Sequence, residues 1–213
     1  MKLQRILLAD DHRLLVEAFR ALLEPHYEVV GTVSDGRALL ETAPLLRPDV
    51  VVLDIAMPLL NGLDAGRQLK EKMPKVKLVF LTMNQDPDLA TKAMEAGASA
   101  YLLKSSAGSE LFHAIKEALK GRFYITKQIA RGMQESFMRD PRPRERAKVL
   151  SSRQREVIQL LAEGKSMKEA GDVLSLKPRT VAFHKYRVME EMGFKSTADL
   201  IQFAVRNNIV AMA

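Results

Sequence analysis

Across the first 121 positions, apolar residues fall into short unbroken runs separated by longer stretches of helical spacing. Ile6-Leu7-Leu8-Ala9, Val50-Val51-Val52-Leu53 and Leu78-Val79-Phe80-Leu81 are too short for helices and apolar throughout, the pattern of strands buried on both faces. Tyr27–Val33 and Ala100–Leu103 supply two more. Between them Leu15, Ala18, Phe19 and Leu22 recur at helical spacing, and similar patterns fill 36–46, 63–72, 87–96 and 109–120. This alternation predicts an α/β fold, a doubly wound, five-stranded parallel sheet with helices on both faces. Pro44 is expected to kink or shorten the second helix. Residues 127–138 continue as one more helix, and Arg139-Asp140-Pro141-Arg142-Pro143-Arg144-Glu145-Arg146 is a charged, proline-broken linker.

Beyond that linker every pattern is helical. Ser151 and Gln154 have capping-box spacing ahead of Val157, Ile158, Leu160 and Leu161, and Gly164 is the expected stop. Ser166–Leu174 forms a second, short helix. Pro178 opens a third that runs to Met192 and ends at Gly193, and Thr197–Arg206 makes a fourth. The expected organisation is an α/β domain over 1–121, a linker helix and charged linker over 122–148, and an all-α domain over 149–213.

Length and composition agree with two domains: 213 residues, 47% of them hydrophobic, are enough for two separate cores. No apolar run is long enough to span a bilayer, and Met1–Asp10 lacks the features of a signal peptide, so a cytoplasmic protein that does not meet the membrane is expected. The absence of cysteine excludes disulfides, thiolate metal sites and a cysteine nucleophile. The net charge of +7 is unevenly placed. Residues 1–121 carry 15 Lys and Arg against 16 Asp and Glu, whereas 122–213 carry 18 against 10. A basic second half joined to a near-neutral first half is the footprint of a chain whose C-terminal part meets phosphate backbones, although a basic surface kept for solubility would look the same.

In a doubly wound sheet the residues that follow each apolar run share one edge. Here they are Asp10, Asp11, Asp54, Thr82 and Lys104. Three carboxylates in a small volume repel one another unless a cation sits among them, and a hard divalent ion such as Mg²⁺ suits such a site. With the ion bound, one carboxylate can attack a phosphoryl group while a lysine neutralises its oxygens. A threonine hydroxyl can then hold the transferred group.

This set resembles the receiver domain of response regulators over essentially all of 1–121, a flavodoxin-like fold. The segment Asp54-Ile55-Ala56-Met57-Pro58-Leu59-Leu60-Asn61-Gly62 is similar to the loop after the family's phosphoacceptor, and Lys104 followed by Glu110-Leu111 fits as well. The resemblance implies Asp54 as phosphoacceptor. It implies Mg²⁺ held by Asp11, Asp54 and the backbone carbonyl of Ala56, with Asp10 acting largely through water. Thr82 and Tyr101 become the switch pair, and a histidine kinase becomes the phosphodonor. Aspartate-nucleophile phosphatases of the haloacid dehalogenase type need a second aspartate two residues after the first. Ala56 and His12 both fail that requirement, so an enzyme is not expected.

Residues 150–206 resemble the helix-turn-helix domain of NarL/FixJ or LuxR-type regulators. The matching pieces are Leu150-Ser151, Arg155-Glu156-Val157, Glu163-Gly164-Lys165-Ser166, Lys168-Glu169, Arg179-Thr180-Val181, His184 and Met192-Gly193. The implied activity is phosphorylation-controlled transcription regulation through binding to double-stranded DNA, with a homodimer when phosphorylated. Helical spacing turns Val181, Val188 and Met192 inward and leaves Arg179, Phe183 and Tyr186 roughly opposite, flanked by Ala182 and Arg187. Lys165, Lys168, Lys185 and Arg187 are the candidate phosphate contacts, and Arg179, Ala182, Phe183 and Tyr186 the candidate base contacts. In the last helix Leu200, Ile201 and Phe203 are candidates for a dimer contact as well as for core packing. Lys177 stands where a capping hydroxyl is common and Ser175 where a turn glycine is common. Gly171 inside a helix costs roughly 1 kcal/mol against alanine, so a weakened domain is expected.

Overall fold

The computed structural model describes residues 3–139 and 150–210, which belong to two compact units. The first unit alternates strand and helix: β1 Arg5–Ala9, α1 Arg13–Leu23, β2 Glu28–Val33, α2 Gly36–Leu46, β3 Val50–Asp54, α3 Gly62–Lys72, β4 Lys77–Thr82, α4 Pro87–Glu95, β5 Ala98–Leu103, α5 Lys104–Leu119, β6 Tyr124–Ile125 and α6 Lys127–Arg139. All strand pairings are parallel, in the order β2-β1-β3-β4-β5-β6.

The continuous apolar runs form the central strands because both sides of the sheet are covered. Ile6, Leu8, Val50, Val52, Val79 and Leu81 pack on one side with Val16, Phe19 and Leu23 of α1 and Leu111, Ala114 and Ile115 of α5. On the other side Gly66 of α3 lies so close to Phe80 that an added Cβ would meet its Cζ at 2.7 Å. The chain winds one way from β1 to β2 and the other way across β1 to β3, so the carboxyl ends of β1 and β3 flank the crevice where doubly wound sheets place their sites.

Three expectations for this unit need correction. The sheet has six strands, not five. β6 is only two residues long and therefore gives no alternation to read, yet it pairs in register, Ala100 with Tyr124 and Tyr101 with Ile125. Pro44 does not end α2, which continues to Leu46; in the last turn its missing N–H removes a single helical bond, and the helix closes with Arg47 in the left-handed region donating to the Ala43 carbonyl at 2.8 Å. Finally, α5 begins at Lys104, about a turn before the expected position 109.

The predicted helix after residue 126 is present as α6 and packs against α4. Gln128 Nε2 donates to Gln85 Oε1 at 2.8 Å, and a Cβ on Gly132 would stand 3.2 Å from Pro87 Cγ. The start of α6 is pinned by the buried Thr126, whose hydroxyl donates to Glu110 Oε2 at 2.8 Å and whose N–H donates to the Tyr101 carbonyl at 3.1 Å. The charged linker expected at 139–146 lies, apart from Arg139, outside the described residues.

The second unit comprises α7 Ser152–Ala162, α8 Met167–Leu174, α9 Pro178–Met192 and α10 Thr197–Arg206. Capping boxes open three of these helices, at Ser151 with Gln154, Ser166 with Glu169, and Ser196 with Asp199. Lys177 precedes α9 with no side-chain cap, and Pro178 takes the first helical position. Leu150, Ile158, Val188, Leu200, Ala204 and Ile209 form one core cluster, and Val157, Leu160, Ala170, Leu174 and Val181 another.

The turn from α8 to α9 revises the reading of Gly171. A Cβ there would come within 2.6 Å of the Leu176 carbonyl oxygen, and the Leu176 N–H donates to the Gly171 carbonyl at 2.8 Å. The glycine admits the returning backbone, so it is a requirement of the turn and not a weakness of the helix. Ser175 follows in the left-handed region with φ of 55°, the conformation that glycine adopts at least cost.

Candidate functional site

Four of the five strand-end residues converge as buried groups. Asp10 follows β1, Asp54 ends β3, Thr82 ends β4 and Lys104 opens α5 directly after β5. Lys104 Nζ lies 2.8 Å from Asp10 Oδ2 and 3.0 Å from Asp54 Oδ2, so one ammonium serves two buried carboxylates. Asp11 sits at the rim with an exposed side chain. Burial pushes the Asp54 carboxyl above the ordinary carboxylate range; the Lys104 ammonium pulls it back, while the Asp10 charge pushes it up again. The Ala56 backbone hydrogen-bonds the Asp54 carboxylate.

A divalent cation fits this donor set. Oxygens of Asp10, Asp11 and Asp54 and a ring nitrogen of His12 all lie within 4.8 Å of one another. Asp10 Oδ2 and Asp54 Oδ2 are buried and share the single Lys104 ammonium between them. Three carboxylates against one ammonium leave an excess of negative charge that a hard cation would neutralise.

Sequence reasoning used His12 only to reject an enzyme class and did not assign it to the site. Its Nδ1 is 3.0 Å from Asp10 Oδ1 and 3.0 Å from Asp11 Oδ1. The available signal was its position directly after the two aspartates at the end of an apolar run.

Thr82 Oγ1 accepts the Asn84 N–H at 2.9 Å, Asn84 Oδ1 accepts the Asp86 N–H at 2.9 Å, and Asp86 in turn caps α4 by accepting the Asp88 N–H at 3.0 Å. The Thr82 hydroxyl is thus tied through two short links to the start of α4. Tyr101, in β5, is fully buried; burial raises its pKa far above the ordinary phenol value, while the neighbouring Thr82 side chain draws it partly back. Thr82 pairs with Leu103 across the β4–β5 ladder, two residues beyond Tyr101.

In the second unit α9 divides its residues as the spacing predicts. Val181 and Val188 are in the core, while Phe183 and Tyr186 stay 57% and 58% exposed. Arg179 and Arg187 are exposed on the same helix and Ala182 is half-buried. Lys185 Nζ donates to Thr197 Oγ1 at 2.8 Å and lies 5.4 Å from the Tyr186 ring centre, and Arg187 pairs with Glu191 at 2.8 Å. Lys165 follows the stop at Gly164, and Lys168 is exposed in the first turn of α8. In α10, Leu200 is in the core and Phe203 packs on Phe194 with ring centres 5.3 Å apart, which leaves only Ile201 of the three apolar candidates outward.

Comparison with known proteins matches both units. Residues 6–116 match the response regulator receiver domain family, and residues 148–204 match the bacterial regulatory proteins of the luxR family. The chain is 31% identical to the response regulator GacA of Pseudomonas aeruginosa, covering 98% of this chain and 99% of GacA. Among solved structures, a LuxR-family two-component response regulator from an Aurantimonas species is 35% identical with a TM-score of 0.61, over 65% of this chain and 99% of that one. The RcsB response regulator of Salmonella typhimurium, solved in a study of its conformational dynamism for DNA interaction, is 25% identical with a TM-score of 0.61, over 95% and 98%. Among the described residues no helix is long and apolar enough to cross a membrane.

Proposed function

We propose, since the chain belongs to the response regulators that join a receiver domain to a luxR-type DNA-binding domain, that Asp54 takes a phosphoryl group from a histidine kinase and thereby controls sequence-specific binding to double-stranded DNA. The single observation that carries this reading is the buried Asp54 carboxylate held 3.0 Å from the Lys104 ammonium, with Asp10 on the same lysine. An Asp54 oxygen attacks phosphorus as the nitrogen–phosphorus bond of the kinase's phosphohistidine breaks. The bond's electron pair leaves with the imidazole, which takes up a proton. Lys104 neutralises charge on the transferred oxygens, and the burial that raises the Asp54 pKa also keeps bulk water from its far side. Asp11, Asp54 and the Ala56 carbonyl would hold Mg²⁺ with Asp10 acting through water, and the ion would supply the charge neutralisation that lets an anionic nucleophile meet a phosphoryl group.

On the product side, the Thr82 hydroxyl turns from the Asn84 N–H to the phosphoryl oxygens and Tyr101 reorients with it. The output is read by α9: Arg179, Ala182, Phe183 and Tyr186 meet base edges, while Lys165, Lys168, Lys185 and Arg187 meet phosphates. Paired half-sites call for a homodimer when Asp54 is phosphorylated. The functional boundaries we assign are 1–121 for the receiver, 122–148 for the linker and 149–213 for DNA binding. The protein acts in the cytoplasm as a stoichiometric regulator and not as an enzyme.

A small phosphodonor with Mg²⁺ should label the protein with one phosphoryl group per chain, and Asp54→Asn should abolish the label while the fold is retained. Undiminished labelling of Asp54→Asn would overturn the assignment. Gel shift with genomic fragments, with and without a phosphoryl analogue, tests the output. An absence of any retarded fragment under both conditions would remove DNA as the target.

A further inference from the structure

We propose that His12 Nδ1 is a nitrogen ligand at the acidic cluster, so that the site binds transition ions such as Mn²⁺ or Co²⁺ through a donor that Mg²⁺ does not use. The proposal rests on the reading that Asp10, Asp11 and Asp54 hold a divalent cation. Its own observation is the position of the imidazole. Nδ1 is 3.0 Å from Asp10 Oδ1 and 3.0 Å from Asp11 Oδ1, and 3.4 Å from Lys104 Nζ, so it faces the volume these groups surround. Together with Asp54 these donor atoms lie within 4.8 Å of one another, a span that a single coordination shell covers.

The local backbone explains why the side chain is there. His12 precedes α1 as its N-cap, with φ of −86°, but makes no side-chain cap bond. Its carbonyl accepts the Leu15 and Val16 N–H groups, and its own N–H donates to Asp10 Oδ1 at 2.9 Å. The backbone is thus locked onto a carboxylate of the acidic cluster. The imidazole does nothing for the helix, and 59% of the side chain is exposed at the rim, where an incoming ion passes.

Donor chemistry then predicts which ions gain. Mg²⁺ takes oxygen ligands and keeps its waters, so a neighbouring imidazole adds little to it. Mn²⁺ and Co²⁺ accept nitrogen, and affinity at mixed nitrogen and oxygen sites rises along the first row. For binding, the ring must carry its proton on Nε2 and leave the Nδ1 lone pair toward the ion. The other histidines have different surroundings: His26 stacks near Phe112, His113 meets the edge of Tyr124, and His184 lies on α9 beside Phe183.

The test uses the full chain with metal alone, in wild type and His12→Ser. Serine is a good N-cap, so this variant should fold at least as well. Calorimetric titration should show Co²⁺ and Mn²⁺ affinity falling about tenfold or more in His12→Ser, with Mg²⁺ affinity unchanged within about twofold. Electron spin-echo spectra of bound Mn²⁺ should show coupling to a ligating nitrogen in the wild type and none in the variant. Bound Mn²⁺ without nitrogen coupling in the wild type, or coupling that survives in His12→Ser, overturns the proposal and leaves the cation site standing. If neither Mg²⁺ nor Mn²⁺ binds the wild type, the reading of the acidic cluster as a cation site falls, and this proposal with it.

Discussion

Gly62 is the residue whose replacement should most directly separate a correctly placed phosphoacceptor from a merely present one. It opens α3, and its N–H donates to the Ile55 carbonyl at 2.8 Å. A Cβ at Gly62 would stand 2.0 Å from the Asp54 carbonyl oxygen and 2.9 Å from both the Asp54 carbonyl carbon and Ile55 Cα. Ordinary contact begins at 3.4 Å, so the backbone of Asp54 or the first turn of α3 must move by about 1.4 Å. All three neighbours are backbone atoms, with no flexible side-chain end to yield. Overpacking of this kind costs about 1–3 kcal/mol or more, against a helix-propensity gain of about 1 kcal/mol. A misplacement of about 1 Å at a reacting group costs about 100-fold in rate. Gly62→Ala should therefore lower the initial rate of labelling by a small phosphodonor about 100-fold and lower Tm by several degrees. Gly108→Ala is the matched control: it lies within α5 with nothing within 4 Å of its added Cβ, so it should leave labelling intact and stabilise slightly. Gly62→Ala labelling at the wild-type rate with an unchanged Tm would refute the reasoning.

Two substitutions around the α8 turn should have opposite signs in thermal unfolding. Gly171→Ala should destabilise by about 1–3 kcal/mol through its clash with the Leu176 carbonyl, and Ser175→Gly should stabilise by up to about 1 kcal/mol by relieving a positive φ. For Asp54 the folded pKa lies above the unfolded one, so stability falls as pH rises between the two values and the loss is complete above both. Without divalent metal, Asp54→Asn should accordingly raise Tm at pH 7, with the gain disappearing below the ordinary carboxyl value of 3.8; an equal or lower Tm at pH 7 would contradict this. Lys165→Ala or Lys168→Ala should weaken binding to all DNA sequences alike and reduce the salt dependence by about one unit of slope. Phe183→Lys with Tyr186→Lys should change the response to uracil-for-thymine substitution in the operator, and equal binding to every such variant would remove these rings from base reading.

The strand-end chemistry was legible because topology converts a position in sequence, the residue after an apolar run, into a place in space. Asp10, Asp54, Thr82 and Lys104 needed no contact information to be gathered. The capping box at Ser151 and the stops at Gly164 and Gly193 were legible for a local reason, since each depends on residues three or four apart. What was not legible depends on neighbours distant in sequence or on backbone geometry. β6 is two residues supported by β5, and the first turn of α5, with Ser105, Ser106 and Gly108, has a loop's composition but buries Ala107 beneath the sheet. Gly171 has the same composition whether it weakens a helix or admits a returning carbonyl, and only the fold distinguishes the two. His12 was overlooked because its donor atom is aimed by a backbone bond to Asp10 that no pattern encodes.

The Thr82 hydroxyl already has an occupation, accepting the Asn84 N–H at the head of a relay that ends at the α4 cap. On the proposed reading, a phosphoryl group on Asp54 does not recruit an idle side chain: Thr82 must leave the Asn84 N–H to donate its O–H to the phosphoryl oxygens. The net free energy of switching is then a difference between two comparable hydrogen bonds, which favours a shallow balance over a one-way latch. Substitutions at Asn84 should tilt that balance without touching the reacting atoms, and the set point of the response becomes adjustable independently of the chemistry that triggers it.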